Sequence, residues 1–312
     1  MTCAGVMPRQ AGNLAGLVRE MIAEVRPRLI EAALSGRRGE SPNARHADNF
    51  LSVHDLWMHG RYKERLSDLF PSFVYASEEA DPEVIGADRD PDLCVLVDPL
   101  DTSELAVRGL CGYTHVLVYS RTLARPVVSV VGDIYHYVQL YVGVMDDDGT
   151  DKAFVVTADG IERRLGGRRP EKLSRALVTN YLMRPAERFL PLARQHDLMA
   201  ALGAASDAGP AQGRIGVDFG SVGLCHVAAG FSDAMIEFAK GFAIWDLSPG
   251  HYVLHAAGGV VIDLDGNPVS LDYGLGSLAD IGRAMSTRQK FIAAGDLDLA
   301  YQILRTLELR QV

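Results

Sequence analysis

The sequence predicts an α/β protein in two parts, an α+β first half and an α/β second half. Up to about residue 165, short β-rich apolar runs follow one another with turn residues between them. Beyond residue 170, strand-like and helix-like segments alternate. The chain has 312 residues, 48% hydrophobic and 23% charged, which is a globular composition and enough for one large domain or two ordinary ones.

In residues 14–34, Leu14, Leu17, Val18, Met21, Ile22, Val25, Leu29 and Ile30 recur at helical spacing, which predicts a helix kinked or broken at Pro27. Residues 35–49 are polar, with Gly36-Arg37-Arg38-Gly39 and Ser41-Pro42-Asn43, and read as a loop. Helical periodicity returns over 54–69 and stops at Pro71. Strands follow at 73–76, 93–97, 114–119, 127–133, 138–144 and 154–157, punctuated by Asp146-Asp147-Asp148-Gly149 and Ala158-Asp159-Gly160. The polar, basic stretch 166–170 is the expected boundary between a first domain, 1–170, and a second, 171–312. The second is expected to run strand 176–179, helix 187–202, strand 214–217, helix 222–229, strand 234–238, helix 246–257 and strand 260–263.

Thirty-one Lys and Arg against 40 Asp and Glu give a net charge of -9, which argues against a nucleic-acid polymer as partner, since a polyanion needs a basic surface. A small phosphorylated substrate remains compatible, because metals held by acids supply positive charge locally. No apolar run reaches the length of a membrane span, and residues 1–12 do not read as a signal peptide. Cys3, Cys94, Cys111 and Cys225 show no Cys-x-x-Cys pair, so a reducing cytoplasm is expected.

Three acidic groups follow apolar strands: Glu78-Glu79, then Asp98 and Asp101, then Asp246 after Ala243-Ile244-Trp245. Each alone reads as a turn, a solvated loop or a helix N-cap. Together they suggest converging carboxylates, whose natural occupant is a hard divalent cation. In Asp98-Pro99-Leu100-Asp101-Thr102-Ser103 the proline fixes a turn between two carboxylates, and a helix opening at Thr102 would offer N–H groups to an anion.

These residues resemble a known family. Leu96-Val97-Asp98-Pro99-Leu100-Asp101-Thr102-Ser103 is similar to the D-P-[IL]-D-G-T signature of inositol monophosphatases. Trp245-Asp246 with His255-Ala256-Ala257-Gly258-Gly259 resembles the second signature, Ser77-Glu78-Glu79 the family's G-E-E, and Ser52-Val53-His54-Asp55 its T-V-T-D. Asp233-Ala234-Met235-Ile236-Glu237 resembles the stretch with its substrate-contacting Glu.

The resemblance implies a layered α-β-α-β-α sandwich and a Mg2+-dependent phosphomonoesterase acting on a small polyol, sugar or nucleoside monophosphate. It implies two or three Mg2+ ions on Glu78, Asp98, the Leu100 carbonyl, Asp101 and Asp246. Asp55 and Ser103 would orient the attacking water, with Glu78 beside them, and Glu79 would lie behind. The N–H groups of Thr102 and Ser103 would hold phosphate, and Glu237 would bind substrate hydroxyls. A homodimer and lithium sensitivity are further implications. Fructose 1,6-bisphosphate or a nucleotide 3′-phosphate as substrate, or an inactive binding protein, are the alternatives.

This chain departs from the pattern at several points. Thr102 replaces glycine and Ser103 replaces threonine. Leu247-Ser248-Pro249-Gly250 follows Trp-Asp, with Pro249 expected in the first turn of the helix. The segment between Glu237 and Trp245 is two residues longer, and Gly220 stands where an arginine often precedes Ser221. The changes surround the expected phosphate and substrate positions and leave the carboxylates in place.

Overall fold

The computed structural model describes residues 7–43, 45, 49–166, 171–205, 210 and 212–309; the expected boundary at 167–170 lies outside them. Helix α1 (Arg9–Ser35) buries Leu14, Val18, Met21, Ile22, Val25 and Leu29 along one stripe and continues unbroken through Pro27, where a kink or a break was expected. Gly36, in left-handed conformation, ends it. Helix α2 (Val53–Leu69) starts at a capping box in which Ser52 and Asp55 satisfy each other's backbone N–H groups.

An eight-stranded sheet holds β1 (Ser72–Ser77), β2 (Ala80–Gly86), β3 (Leu93–Asp101), β4 (Tyr113–Ser120), β5 (Arg125–Asp133), β6 (Val138–Met145), β7 (Asp151–Thr157) and β8 (Glu162–Arg164). Their order is β2-β1-β3-β4-β5-β6-β7-β8, antiparallel except for the β1–β3 pair. The short helix α3 (Ser103–Ala106) follows β3.

A five-stranded sheet holds β9 (Leu177–Asn180), β10 (Arg214–Val217), β11 (Ala234–Ala243), β12 (Val260–Ile262) and β13 (Arg288–Ala294) in the order β10-β9-β11-β13-β12. The helix expected over 187–202 is instead a π turn (Pro185–Phe189), α4 (Leu190–Ala193) and α5 (His196–Leu202). Pro185 opens the first turn, Pro191 takes one N–H out of the ladder, and the helical run is interrupted at Arg194-Gln195. Helices α6 (Gly220–Ala229) and α7 (Ile244–Ala256) follow β10 and β11, and α8 (Leu278–Ser286) and α9 (Leu297–Thr306) flank β13.

The layers run α-β-α-β-α. Helices α1 and α2 cover one face of the first sheet, and α6 and α7 lie between the two sheets. Helices α5 and α9 close the far face of the second sheet. Val131, Tyr141 and Val155 of the first sheet share one apolar cluster with Leu224 and Val253 of the middle layer and Met235 and Phe291 of the second sheet.

Candidate active site

A regular strand would place Asp98 and Asp101, three residues apart, on opposite faces. The β3–β4 register shifts between them: Asp98 pairs with His115 and Asp101 with Tyr113, so three steps on β3 match two on β4. This bulge at Pro99 turns both carboxylates to one side, where they meet His115, with ligand atoms of all three within 4.8 Å of one another. Glu78 is placed by the parallel β1–β3 pair, its N–H donating to the Val97 carbonyl at 3.2 Å.

Asp246 comes from the other side, in the first turn of α7, where the helix dipole favours a carboxylate. Pro249 lies in the second turn of that helix, not the first as expected. The neighbouring turn is bridged from outside: the Ser221 hydroxyl donates to the Asp246 carbonyl at 2.7 Å and accepts from the Gly250 N–H at 3.0 Å. A side chain of α6 thereby stands in for a helical hydrogen bond of α7.

These groups border a cleft of about 550 Å³ to which Glu78, Leu100, Asp101, Thr102, Ser103 and Asp246 all contribute. Asp98 lies beneath it, 1% exposed, and neither of its carboxylate oxygens has a hydrogen-bond partner. An ionised carboxylate in that state is costly without a counter-charge. Burial and the neighbouring Glu78, Asp101 and Asp246 hold its pKa well above the carboxylate range. Burial, then Asp246 and Glu79, do the same to Glu78, and burial with Asp101 pushes Asp246 up to about 7. The oxygen donor set and the orphaned oxygens fit a hard divalent cation.

Beside the acids, the Ser103 hydroxyl bonds to Asp55 Oδ1 and lies 2.8 Å from the Leu100 carbonyl. Asp55 is 2% exposed, and its other oxygen accepts from the Ser52 N–H at 2.8 Å and hydroxyl at 2.6 Å. Burial raises its pKa against these hydrogen bonds. Glu79 is half-buried behind it, with its pKa pushed to about 7 by burial and by Asp55.

Thr102, at the family's glycine position, keeps a left-handed backbone (φ 59°) and serves as N-cap of α3, with its hydroxyl donating to the Asp101 carbonyl at 2.6 Å. Gly220 explains the missing arginine: its φ is +38°, and a Cβ there would stand 1.9 Å from Asp101 Oδ2.

Glu237, expected at the hydroxyl-binding position, is not brought to the cleft. It is 0% exposed, ion-paired with Arg188 at 2.6 Å, and accepts from the N–H groups of Ala239, Lys240 and Gly241. The two extra residues after it are absorbed in β11, where Glu237 pairs with Phe291 but Phe242 with Gln289. The cleft wall there is Arg188, which stacks on Tyr181 with 4.3 Å between guanidinium and ring, together with Lys240 and Arg288. Sequence reasoning missed these residues and His115, whose Nε2 lies 3.0 Å from Asp101 Oδ2. His115 left one signal, a lone imidazole in the apolar run of β4.

The layered fold and its acidic cleft are those of a phosphomonoesterase. The sequence pattern of the inositol monophosphatase family matches residues 11–295, and the chain belongs to that family. It is 28% identical over 258 residues to human inositol monophosphatase 2, covering 78% of each chain. Among solved structures, it is similar in fold to a staphylococcal inositol monophosphatase I complexed with products (TM-score 0.68, 16% identity, 97% and 96% of the two chains covered). It is also similar to the extragenic suppressor protein suhB of Bartonella henselae (TM-score 0.65, 18% identity, 95% and 98% covered).

Proposed function

We propose that this protein is a Mg2+-dependent phosphomonoesterase that hydrolyses a small polyol, sugar or nucleoside monophosphate with a water molecule as nucleophile. The observation that carries this reading is the buried Asp98 carboxylate, unpartnered at the centre of Glu78, Asp101 and Asp246. Those four side chains and the Leu100 carbonyl would hold two or three Mg2+ ions, three of the acids coming from residues 1–170 and Asp246 from residues 171–312. Bound there, the ions would neutralise the phosphate and acidify a bound water.

The chain's own groups supply position and proton handling. Asp55 accepts the Ser103 hydroxyl hydrogen, which leaves the serine lone pairs to accept from the attacking water. Burial raises the proton affinity of Asp55, which suits it to take that proton through Ser103. In this reading the N–H groups of Thr102 and Ser103, at the start of α3, receive phosphate oxygens. In this reading the enzyme works as a homodimer in the cytoplasm, in keeping with its family. Cys94, Cys111 and Cys225 are all free thiols, and no helix among the described residues is long and apolar enough to cross a membrane.

The test is phosphate release from a panel of inositol, hexose, pentose and nucleoside phosphates, with Mg2+ and with chelator. Release that persists in chelator, or an Asp98→Asn, Asp246→Asn double variant as active as the parent, would sink the mechanism.

A further inference from the structure

We propose that the substrate carries a second anionic group, a phosphate or a carboxylate, bound in a cationic subsite of Arg188, Arg288 and Lys240 beside the ester site. The proposal rests on the phosphatase reading and narrows its substrate class.

The chain is acidic overall, yet Arg38, Arg108, Arg184, Arg188, Lys240 and Arg288 all line this one cleft. Some of that charge is spent within the wall. Arg108 pairs with Glu104, Arg184 and Lys240 both reach Glu187, and Arg188 pairs with Glu237. Apart from Glu104 and the three acids of the proposed metal site, Glu40 is the remaining carboxylate lining the cleft. Six cations therefore face four carboxylates, and the excess of two is not needed at the metal site. There, two divalent ions would balance Glu78, Asp98, Asp101 and Asp246.

The excess is focused at one point. Arg188 Nη2 and Arg288 Nη1 each lie 3.4 Å from the same oxygen, the carbonyl of Gly241. The backbone is shaped for this, since Gly241 adopts φ +82° inside the irregular stretch of β11. Two guanidinium groups held against one carbonyl repel each other, and a shared anion relieves that repulsion. Arg188 is 4% exposed, anchored through Nε and stacked on Tyr181, so its remaining N–H donors are pre-organised. Arg288 has no carboxylate within ion-pair distance among the described residues.

Glu237, the acceptor expected here for a polyol hydroxyl, already has one guanidinium and three N–H partners and no exposure, so this wall presents donors. The subsite also lies close to the ester site, because Arg188, Lys240 and Arg288 line the same cleft as Glu78, Asp101 and Asp246. One small molecule can span the two.

The experiment is steady-state kinetics with Mg2+ on two matched pairs, glycerol 2-phosphate against 2-phosphoglycerate and fructose 1-phosphate against fructose 1,6-bisphosphate. The expected result is kcat/KM at least about tenfold higher for the doubly anionic member of one pair, as charge-assisted hydrogen bonds to a desolvated guanidinium imply. The favoured pair identifies the anion as carboxylate or phosphate. Arg288→Gln should bring that ratio close to one, mainly through KM. Arg188→Met combined with Glu237→Leu, which removes the buried pair together, should do the same. Ratios near one in the parent, or a ratio that survives both variants, overturn the subsite while leaving the phosphatase intact. No hydrolysis of any of the four, with release from another phosphate of the wider panel, overturns the subsite alone; no release from either set overturns both readings.

Discussion

The hydroxyl of Ser221, on α6, is inserted between the carbonyl of Asp246 and the N–H of Gly250 on α7, at 2.7 and 3.0 Å. The cleft carboxylate contributed by α7 is thus held by its neighbouring helix. Ser221→Ala would leave two main-chain groups in the α6–α7 interface without their partner, a cost of about 1–3 kcal/mol. The expected outcome is a lower urea midpoint together with weaker Mg2+ binding by titration calorimetry. Unchanged Mg2+ affinity would show that Asp246 does not depend on this bridge.

Asp98→Asn removes one charge from a group of mutually repelling carboxylates. In chelator, the variant should melt no lower than the parent. With millimolar Mg2+ the parent should gain a few degrees in Tm, and the variant much less, because a ligand that binds only the folded state stabilises it. Equal gains in both would remove Asp98 from the cation site.

Ser103 and Asp55 separate catalysis from stability. Ser103→Ala should lower kcat by roughly 10²-fold or more with little change in unfolding free energy. Asp55→Asn should lower kcat similarly and also weaken the capping box that opens α2, costing about 1 kcal/mol. Equal stability losses in the two variants would contradict this division.

His226 and Asp218 make stability depend on pH. Burial disfavours the imidazolium, but Asp218, 2.8 Å from Nδ1, and Asp133 outweigh it and raise the pKa above 6.5. A base whose folded pKa is raised stabilises the fold fully below its unfolded value, near pH 6.5, and loses that contribution as pH rises through the folded value. Urea titrations of the parent should show stability falling across that window, and His226→Gln should flatten the slope.

Much of this was legible in the sequence. The apolar runs before Glu78 and Asp98 form strands where the pattern predicts them, but β3 continues through Asp101, where a turn was expected after residue 97. Strand β2 went unread because Asp81 and Pro82 look like a turn and its side chains are at most half-buried. No element was assigned beyond Pro268, although Ser277 and Asp296 cap α8 and α9 through their side chains, and β13 lies between them inside the second sheet. There, Arg288-Gln289-Lys290 hides an apolar strand behind a polar start. The Arg188–Glu237 pair joins residues 49 positions apart, with Arg188 in a π turn, and no local period reports such a contact. The face-sharing of Asp98 and Asp101 depends on a bulge that only the β4 register reveals.

Helices α6 and α7 bury one flank in each sheet, and the apolar cluster they form joins the interior of one half to that of the other. Separating the halves would expose Val131 and Tyr141 on one side and Leu224 and Val253 on the other, a cost that couples their unfolding. The chain should therefore unfold as one cooperative unit, with tryptophan fluorescence and far-UV circular dichroism tracing the same transition. Asp101 and Asp246 then come apart only when the whole fold does.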